Sequence, residues 1–319
     1  MSEATLAVLQ ERVRDLAAFQ KLDDYMATCL AFLSFINETQ PTKIVSPSQP
    51  MYIFYQYTED YRFSITRPLN TNLFIEIESS FKDAFERFIT FLDDVRRFKG
   101  TIADQEFGRQ YISTNELNKI VYTLQQVIGC IGDSFENPNQ SRKRVGQIFE
   151  TLIKLLIQQI GLVCEPRTIK IPVPGYPDYT MSYQLDLVFS HDQAIVTAEI
   201  PYLLPSEIVG SVKTTSKDRI DKIFLDKYLL TKLLGRDIPV VAIFLHDVQR
   251  AMKGGNMFGI NSTFKSNHFL GYTVALNRLN GVYYVDPRPE MTVNERLRQQ
   301  IFDFQQFLVK DIWAFSRQG

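Results

Sequence analysis

The sequence is poor in cysteine: three in 319 residues, Cys29, Cys130 and Cys164, far apart and in apolar surroundings. So few thiols exclude a disulfide framework, and their spacing excludes a zinc-ligand set. They read as reduced core thiols, which suits a cytosolic compartment. No apolar run reaches the length of a membrane span. The opening "MSEATLAVLQERV" is amphipathic and acidic, which excludes a secretory signal peptide. An excess of positive charge is also missing. Lys and Arg total 35 against 36 Asp and Glu, a formal net charge of -1. The chain is therefore not a basic nucleic-acid coat, although a local basic cleft stays compatible with that balance. Histidine is scarce, and His191, His246 and His268 are scattered, as structural or exposed residues rather than ligands. The glycine-rich "KGGN" at 253–256 has no Lys-Ser pair after it, so it is not a phosphate loop. Repeats and low-complexity tracts are absent. What remains is an ordinary globular composition, 45% apolar and 22% charged. It is long enough for one large domain with an accessory part, or for two domains.

The pattern changes near residue 140. Before it, "ATLAVLQERVRDLAAFQKLDDYMATCLAFLSFI" and "FIEIESSFKDAFERFITFLDDVRRF" carry apolar residues at helical spacing, the second ending in basic residues before Gly100. "NELNKIVYTLQQVIGCI" reads as a third helix. "MYIFYQYTEDYRFSITRP" is aromatic and β-branched and predicts a strand or two, and "ENPNQSRKR" a polar break. After residue 140 helix and strand alternate. "RVGQIFETLIKLLIQQIGL" reads as a helix, and "RTIKIPV", "YTMSYQLDLVFS", "QAIVTAEI" and "SEIVGSVKTT" as strands. "RIDKIFLDKYLLTKLLG" is a helix closed by Gly235, and "IPVVAIFLHDV" a buried strand. "YTVALNRLNGVYYVD" predicts a hairpin over Asn-Gly. "TVNERLRQQIFDFQQFLVKDIW" predicts a terminal helix opened by a capping box of Thr292 and Glu295. This order is α/β with a mixed sheet.

Alternate residues of a strand share a face. Over "SYQLDLVFS", Gln184 and Asp186 are expected on one side and Tyr183, Leu185 and Leu187 on the other. An acid flanked by large apolar residues on a buried strand has to be paired, hydrated or bound to a cation. In "GSVKTT", Ser211 and Lys213 share a face. Two neighbouring strands, one bearing Asp186 and one Lys213, can present both to a single point. Glu150, in "IFETLIKLL", is another acid in an apolar stretch. Carboxylates around a divalent cation, with an ammonium beside them, suit phosphodiester hydrolysis. Plainer roles exist for each group. Asp186 can cap a turn, Lys213 can pair with Asp218, and Glu150 can be solvated beside Lys154 one turn on. Lys217, Asp218 and Arg219 can be helix-start chemistry.

The run "SVKTTSKDR", behind a strand with an isolated Asp and an earlier helix with a Glu, resembles the CCGG family of type II restriction endonucleases. The resemblance covers roughly residues 141–250. It implies a PD-(D/E)XK restriction-endonuclease-like core over 141–319, a mixed central sheet flanked by helices. It leaves 1–140 as a mostly helical region for dimerisation, DNA contact or both. Lys213 stands in the place of the catalytic lysine, with Asp186, Glu150 and Gln184 as catalytic positions and Asp186 and Glu150 as ligands of Mg²⁺. Lys217, Asp218 and Arg219 stand where a basic-acidic-basic triplet reads C and G in the major groove. The implied activity is Mg²⁺-dependent cleavage of double-stranded DNA at a palindrome with a CCGG or CCNGG core, leaving 5′ overhangs. The implied enzyme is a homodimer in the bacterial cytoplasm, with no membrane association. A cognate methyltransferase would act on the same site without being a stable partner.

The chain departs from that pattern in four places. Lys217 gives a point contact where an arginine would give a fork. The acid of the helix after the triplet is matched by Asp226, shorter than a glutamate. Glu199 lies where a Glu-x-Lys element would fall, but Pro201 replaces the lysine. Gln184 has the shape of a glutamate without its charge. The last acid of the site is thus open among positions 184, 199 and 226. The competing class is a non-catalytic DNA-binding protein on a decayed nuclease fold, and a third is a scaffold without affinity for duplex DNA.

Overall fold

The computed structural model describes residues 5–58, 64–191, 202–251 and 257–315. The expected strand at 193–200, with Glu199, and the "KGGN" segment lie outside the described residues. The chain divides into two compact units. One comprises Met1–Phe91, Tyr111–Leu152 and Val248–Thr263, the other Leu92–Gln110, Ile153–Asp247 and Phe264–Gly319.

In the first unit the long N-terminal helical pattern is two helices, α1 (Leu6–Arg14) and α2 (Leu22–Thr39). Asp15 breaks it by accepting a bond from Ala17 N at 2.9 Å, the local competition with the helix that short acidic side chains offer. Strands β1 (Thr42–Val45), β2 (Tyr52–Gln56) and β3 (Leu69–Asn70) form an antiparallel sheet. Helices α3 (Glu78–Phe98), α4 (Glu106–Ser113) and α5 (Glu116–Asp133) follow, with α5 wholly in this unit and residues 92–110, which include the end of α3 and the start of α4, counted in the other. Helix α5 is buried from Leu117 to Gly132 except at Lys119, polar residues included. Its buried amides are bonded: Gln125 Nε2 donates to Val145 O at 3.0 Å. Gly129 leaves room there for the Arg67 guanidinium, which a Cβ would meet at 2.2 Å and have to displace. That guanidinium donates twice to Asp133, at 3.0 and 2.9 Å. Helix α6 (Pro138–Gln159) starts inside the stretch expected as a polar break. Pro138 suits a first helical position, and Asn137 Oδ1 accepts from Asn139 N at 3.0 Å and Gln140 N at 3.2 Å.

The second unit is built on a six-stranded mixed sheet. Its strands are β4 (Val163–Val173), β5 (Tyr176–Ser190), β6 (Ile208–Lys213) and β7 (Val240–His246). Strands β8 (Val248–Arg250) and β9 (Ile260–Ser262) pair with each other in the first unit. The large sheet is completed by β10 (Gly281–Asp286) and β11 (Ile301–Asp303), in the order β11-β10-β7-β6-β5-β4. The first four of these are parallel, and β5 and β4 are antiparallel additions. Helices α7 (Ile220–Leu234) and α8 (Ser266–Ala275) cover one face. Phe224 and Phe269, both fully buried, meet there with ring centroids 5.7 Å apart, and each such burial stabilises by about 1.5–3 kcal/mol. On the other face Phe189 and Tyr283 pack on Phe307, within the helical segment 304–315. The α/β class and the mixed sheet flanked by helices are as expected.

Two expectations fail here. The Asn-Gly pair makes no hairpin: "YTVA" is the end of α8, and β10 runs parallel to β7. Asn280 is a junction instead, its Oδ1 accepting from Val240 N at 2.9 Å and Lys227 Nζ at 2.8 Å. The single terminal helix is also absent. A short helix, α9 (Pro289–Val293), is followed by β11, because Ile301 and Phe302 pair with Val282 and Tyr283. Thr292 bonds back to Pro289 O at 3.0 Å rather than opening a helix. The three cysteines are free and buried, as expected. No helix among the described residues is long and apolar enough to cross a membrane.

Candidate active site

Strand β4 carries Pro166, which has no N–H to give to the ladder. The pairing with β5 shifts there: Glu165 faces Val188 and Arg167 faces Leu185. Asp186 and Leu187 therefore both oppose Pro166. Two residues against one is a β-bulge, which bends the strand and re-aims a side chain. Tyr183, Leu185 and Val188 all join the core under α7, so strict alternation breaks across the bulge. The expectation that Gln184 and Asp186 share a face is corrected accordingly. Asp186 turns toward Ser211 and Lys213, whose register partners Ala242 and Phe244 belong to or border that same core.

Beyond the Leu187–Gly210 pair, β5 and β6 part. The Asp186 carboxylate fills the notch. Its Oδ2 accepts from Val212 N at 3.0 Å, Ser211 Oγ at 3.1 Å and Lys213 Nζ at 2.5 Å. The ion pair is partly exposed, 27% for the Lys213 side chain and 18% for that of Asp186. A cavity of about 520 Å³ opens beside it. Six consecutive residues of β5, Met181 to Asp186, line the cavity, as they do when a strand presents its edge rather than a face. Exposed Gln184 is among them. From α7 and the turn before it come Arg219, Lys222 and Asp226. Asp226 pairs with Lys222 at 2.5 Å. Burial, and then Asp226, push the Tyr183 phenol above its ordinary pKa. Lys227, also on the cavity wall, is 2% exposed and donates to Arg278 O at 2.6 Å. Burial lowers its pKa.

Residues 214–219 join β6 to α7. Lys217, Asp218 and Arg219 are exposed and form the turn that precedes the helix, with Arg219 as its N-cap residue. Asp218 has φ +53°, a left-handed conformation that Asp tolerates better than most residues. Under this turn lies a buried group that sequence reasoning passed over, Asp247, which is 0% exposed. Its signal was present: an acid directly after the wholly apolar strand "VVAIFL" and His246.

The sequence-predicted residues thus separate. Asp186, Lys213, Gln184 and Arg219 line one cavity, and Asp226, left open as an alternative acid, lines it too. Lys217 and Asp218 sit on the adjoining turn. Glu150, half-buried on α6, belongs to the first compact unit. Its one-turn neighbour Lys154 pairs with Glu165 at 2.8 Å. No group of three or more His, Cys, Asp or Glu side chains that could hold a metal occurs among the described residues. Mg²⁺ takes one or two protein carboxylates and completes its shell with water and phosphate oxygens, and the cavity lining supplies two, Asp186 and Asp226.

No family model matches the chain, and no curated relative matches it. Among solved structures it is similar to the Type IIP restriction endonuclease Kpn2I, with a TM-score of 0.71 and 18% identity over 98% of each chain. The chain has a restriction-endonuclease fold. A further similar structure is restriction endonuclease PspGI with substrate DNA, at 16% identity over 75% of this chain and 93% of that one. Its TM-score, 0.39, is too low to bear on the fold.

Proposed function

We propose that the chain is a type II site-specific deoxyribonuclease that hydrolyses DNA phosphodiesters with Mg²⁺ in bacterial restriction defence. One observation carries this: Asp186 and Lys213 meet on adjacent strands at a cavity that Arg219, at the start of the next helix, also lines. Phosphate chemistry and base recognition would then sit on one short segment. Asp186 and Asp226 are the ligands we assign to Mg²⁺, with Glu150 as a further candidate. Bound there, the cation would neutralise phosphate charge and acidify a water. Ser211 Oγ and Val212 N–H hold the Asp186 carboxylate in place. Lys213, held by that carboxylate, orients the water or donates to the charge developing on phosphate.

For recognition, the Arg219 fork fits guanine O6 and N7, Asp218 accepts from cytosine N4, and Lys217 adds a second guanine contact. Two adjacent C·G pairs per subunit make a CCGG core in a symmetric homodimer, or CCNGG if the central pair is left unread. Cleavage leaving 5′ overhangs, a cytoplasmic location, a methyltransferase modifying the same site and a role for residues 1–140 in dimerisation or DNA contact complete the proposal. Incubation of plasmid DNA with the protein, with and without Mg²⁺, tests it. Discrete fragments that require the cation are expected, and sequencing their ends gives the site. Selective duplex binding without cleavage at any Mg²⁺ concentration would instead mark a decayed nuclease, the reading favoured by Gln184 standing where an acid would complete the site.

A further inference from the structure

The exposed turn that would read bases rests on a buried carboxylate. Ser216, 2% exposed, is the last residue before Lys217. Its N–H donates to Asp247 Oδ1 at 2.8 Å, and its hydroxyl donates to Asp247 Oδ2. Tyr284 OH, from fully buried Tyr284 on β10, donates to the same Oδ2 at 2.6 Å. Ser216 N–H, Ser216 Oγ and Tyr284 OH are thus among the donors that hold an acid with no exposure. One strand residue earlier, His246 N donates to Thr214 O at 3.2 Å. On its other side, Ser216 O accepts from Arg219 N at 3.0 Å and Ile220 N at 3.1 Å. Ser216 thus ties the sheet to both the triplet and the first turn of α7. Asp218, in its left-handed conformation, lies inside that tied loop.

A buried carboxylate is costly to desolvate, and an apolar residue of similar volume would serve packing as well or better. A group retained against that cost is best explained by geometry that it alone fixes. Lys213 is clamped by Asp186 and Ser216 by Asp247, so the segment between phosphate chemistry and base contacts is held at both ends. We infer that Asp247 is a positioning residue for sequence discrimination, acting through Ser216 to keep Lys217, Asp218 and Arg219 in register with Lys213. The inference rests on the proposed nuclease function.

The test compares wild type with Asp247→Asn, Ser216→Ala and Ser216→Thr on the cleaved site and on duplexes substituted singly at each core pair. Thermal melting of each variant accompanies it. Because Asp247→Asn alters a buried network, Ser216→Ala, which removes one hydroxyl, carries the test independently. For Asp247→Asn and Ser216→Ala the preference for the cognate core should fall about tenfold or more, the worth of one misplaced base contact. The salt dependence of non-specific binding should stay unchanged, because phosphate contacts are unaltered. Ser216→Thr, which keeps the hydroxyl, should retain the preference. If wild type is selective and both disruptive variants remain folded and equally selective, the inference is wrong while the nuclease reading stands. A uniform rate loss on all duplexes with unchanged preference would also overturn it. Wild-type protein with no action on duplex DNA would overturn the nuclease reading, and the inference with it.

Discussion

Replacing Asp186 with asparagine keeps the shape of the side chain and removes its charge, so it separates chemistry from architecture. The amide oxygen can still accept from Val212 N and Ser211 Oγ, which now lie 3.0 and 3.1 Å from Oδ2. What is lost is the negative charge that Asp186 sets against Lys213. The two side chains are 18% and 27% exposed, between the surface case, worth about 0–1 kcal/mol, and a fully buried pair, where breaking costs about 3–5 kcal/mol. A cost of about 1–2 kcal/mol follows. For a chain of this size that lowers Tm by only about 2–8 °C. The expected rate effect is far larger. Charge stabilisation by a catalytic cation is worth several kcal/mol, and losing about 4 kcal/mol slows the reaction about a thousandfold. Single-turnover cleavage of supercoiled plasmid, duplex binding without divalent cation and thermal melting are measured together. The expected pattern is a thousandfold slower cut, retained binding and a modest fall in Tm. Cleavage within about tenfold of wild type would refute the placement of this carboxylate at the reacting phosphate. A large fall in Tm with matching loss of binding would show it to be structural.

Asp226→Ala should cost about a hundredfold or more in single-turnover rate, because Asp226 shares the cavity with Asp186; a rate unchanged by Asp226→Ala but collapsed by Glu150→Ala would move the second ligand to α6. Arg219→Ala should remove about 1–3 kcal/mol of base discrimination, read on singly substituted duplexes, while salt-sensitive non-specific binding persists. Glu207→Gln breaks a bidentate pair with Arg167, at 2.7 and 2.6 Å and almost wholly buried. It should destabilise by about 3–5 kcal/mol in denaturant titration, and a loss below about 1 kcal/mol would show that the pair is hydrated.

The parts of the fold that were legible in the sequence are those whose partners are local or whose burial is complete. Strand β7 is apolar at every position from Val240 to Leu245, and α7 closes on Gly235 with φ +68°. Both follow from patterns within a few residues. The failures depended on distant partners. "LNG" has the residues of a hairpin turn, yet β10 finds β7 forty residues upstream, and Asn280 is used to bond Val240 and Lys227. The terminal segment has helical periodicity, but Ile301 and Phe302 gain more as the edge strand beside β10. At the candidate site, residue type and strand spacing brought Asp186 and Lys213 to notice, and the resemblance carried by "SVKTTSKDR" brought Arg219; all three line one cavity. Asp247 left only a slight mark in the sequence, an acid directly after apolar β7, because its partners Ser216 and Tyr284 come together only once β7, β10 and the loop after β6 are side by side.

The position of Asp186 was the least accessible detail, and it has a physical origin one strand away. Pro166 withholds a ladder donor opposite Asp186, and the strand answers with an extra residue. The bulge turns Asp186 toward β6, just where the pairing of β5 with β6 ends. That ending leaves Val212 N–H without a strand partner, and the carboxylate takes it at 3.0 Å. The same divergence opens the edge of β5 from Met181 to Asp186 as the wall of the cavity. One irregularity therefore does three things: it aims the acid, gives a backbone donor its acceptor and makes room for a ligand beside both. A regular β5 would have sent Asp186 to the opposite face and closed the notch with a ladder bond. Pro166, one of two prolines of β4 and the one opposite Asp186, is thus the nearest thing in the sequence to a marker for the site, and it lies twenty residues before the acid that it positions.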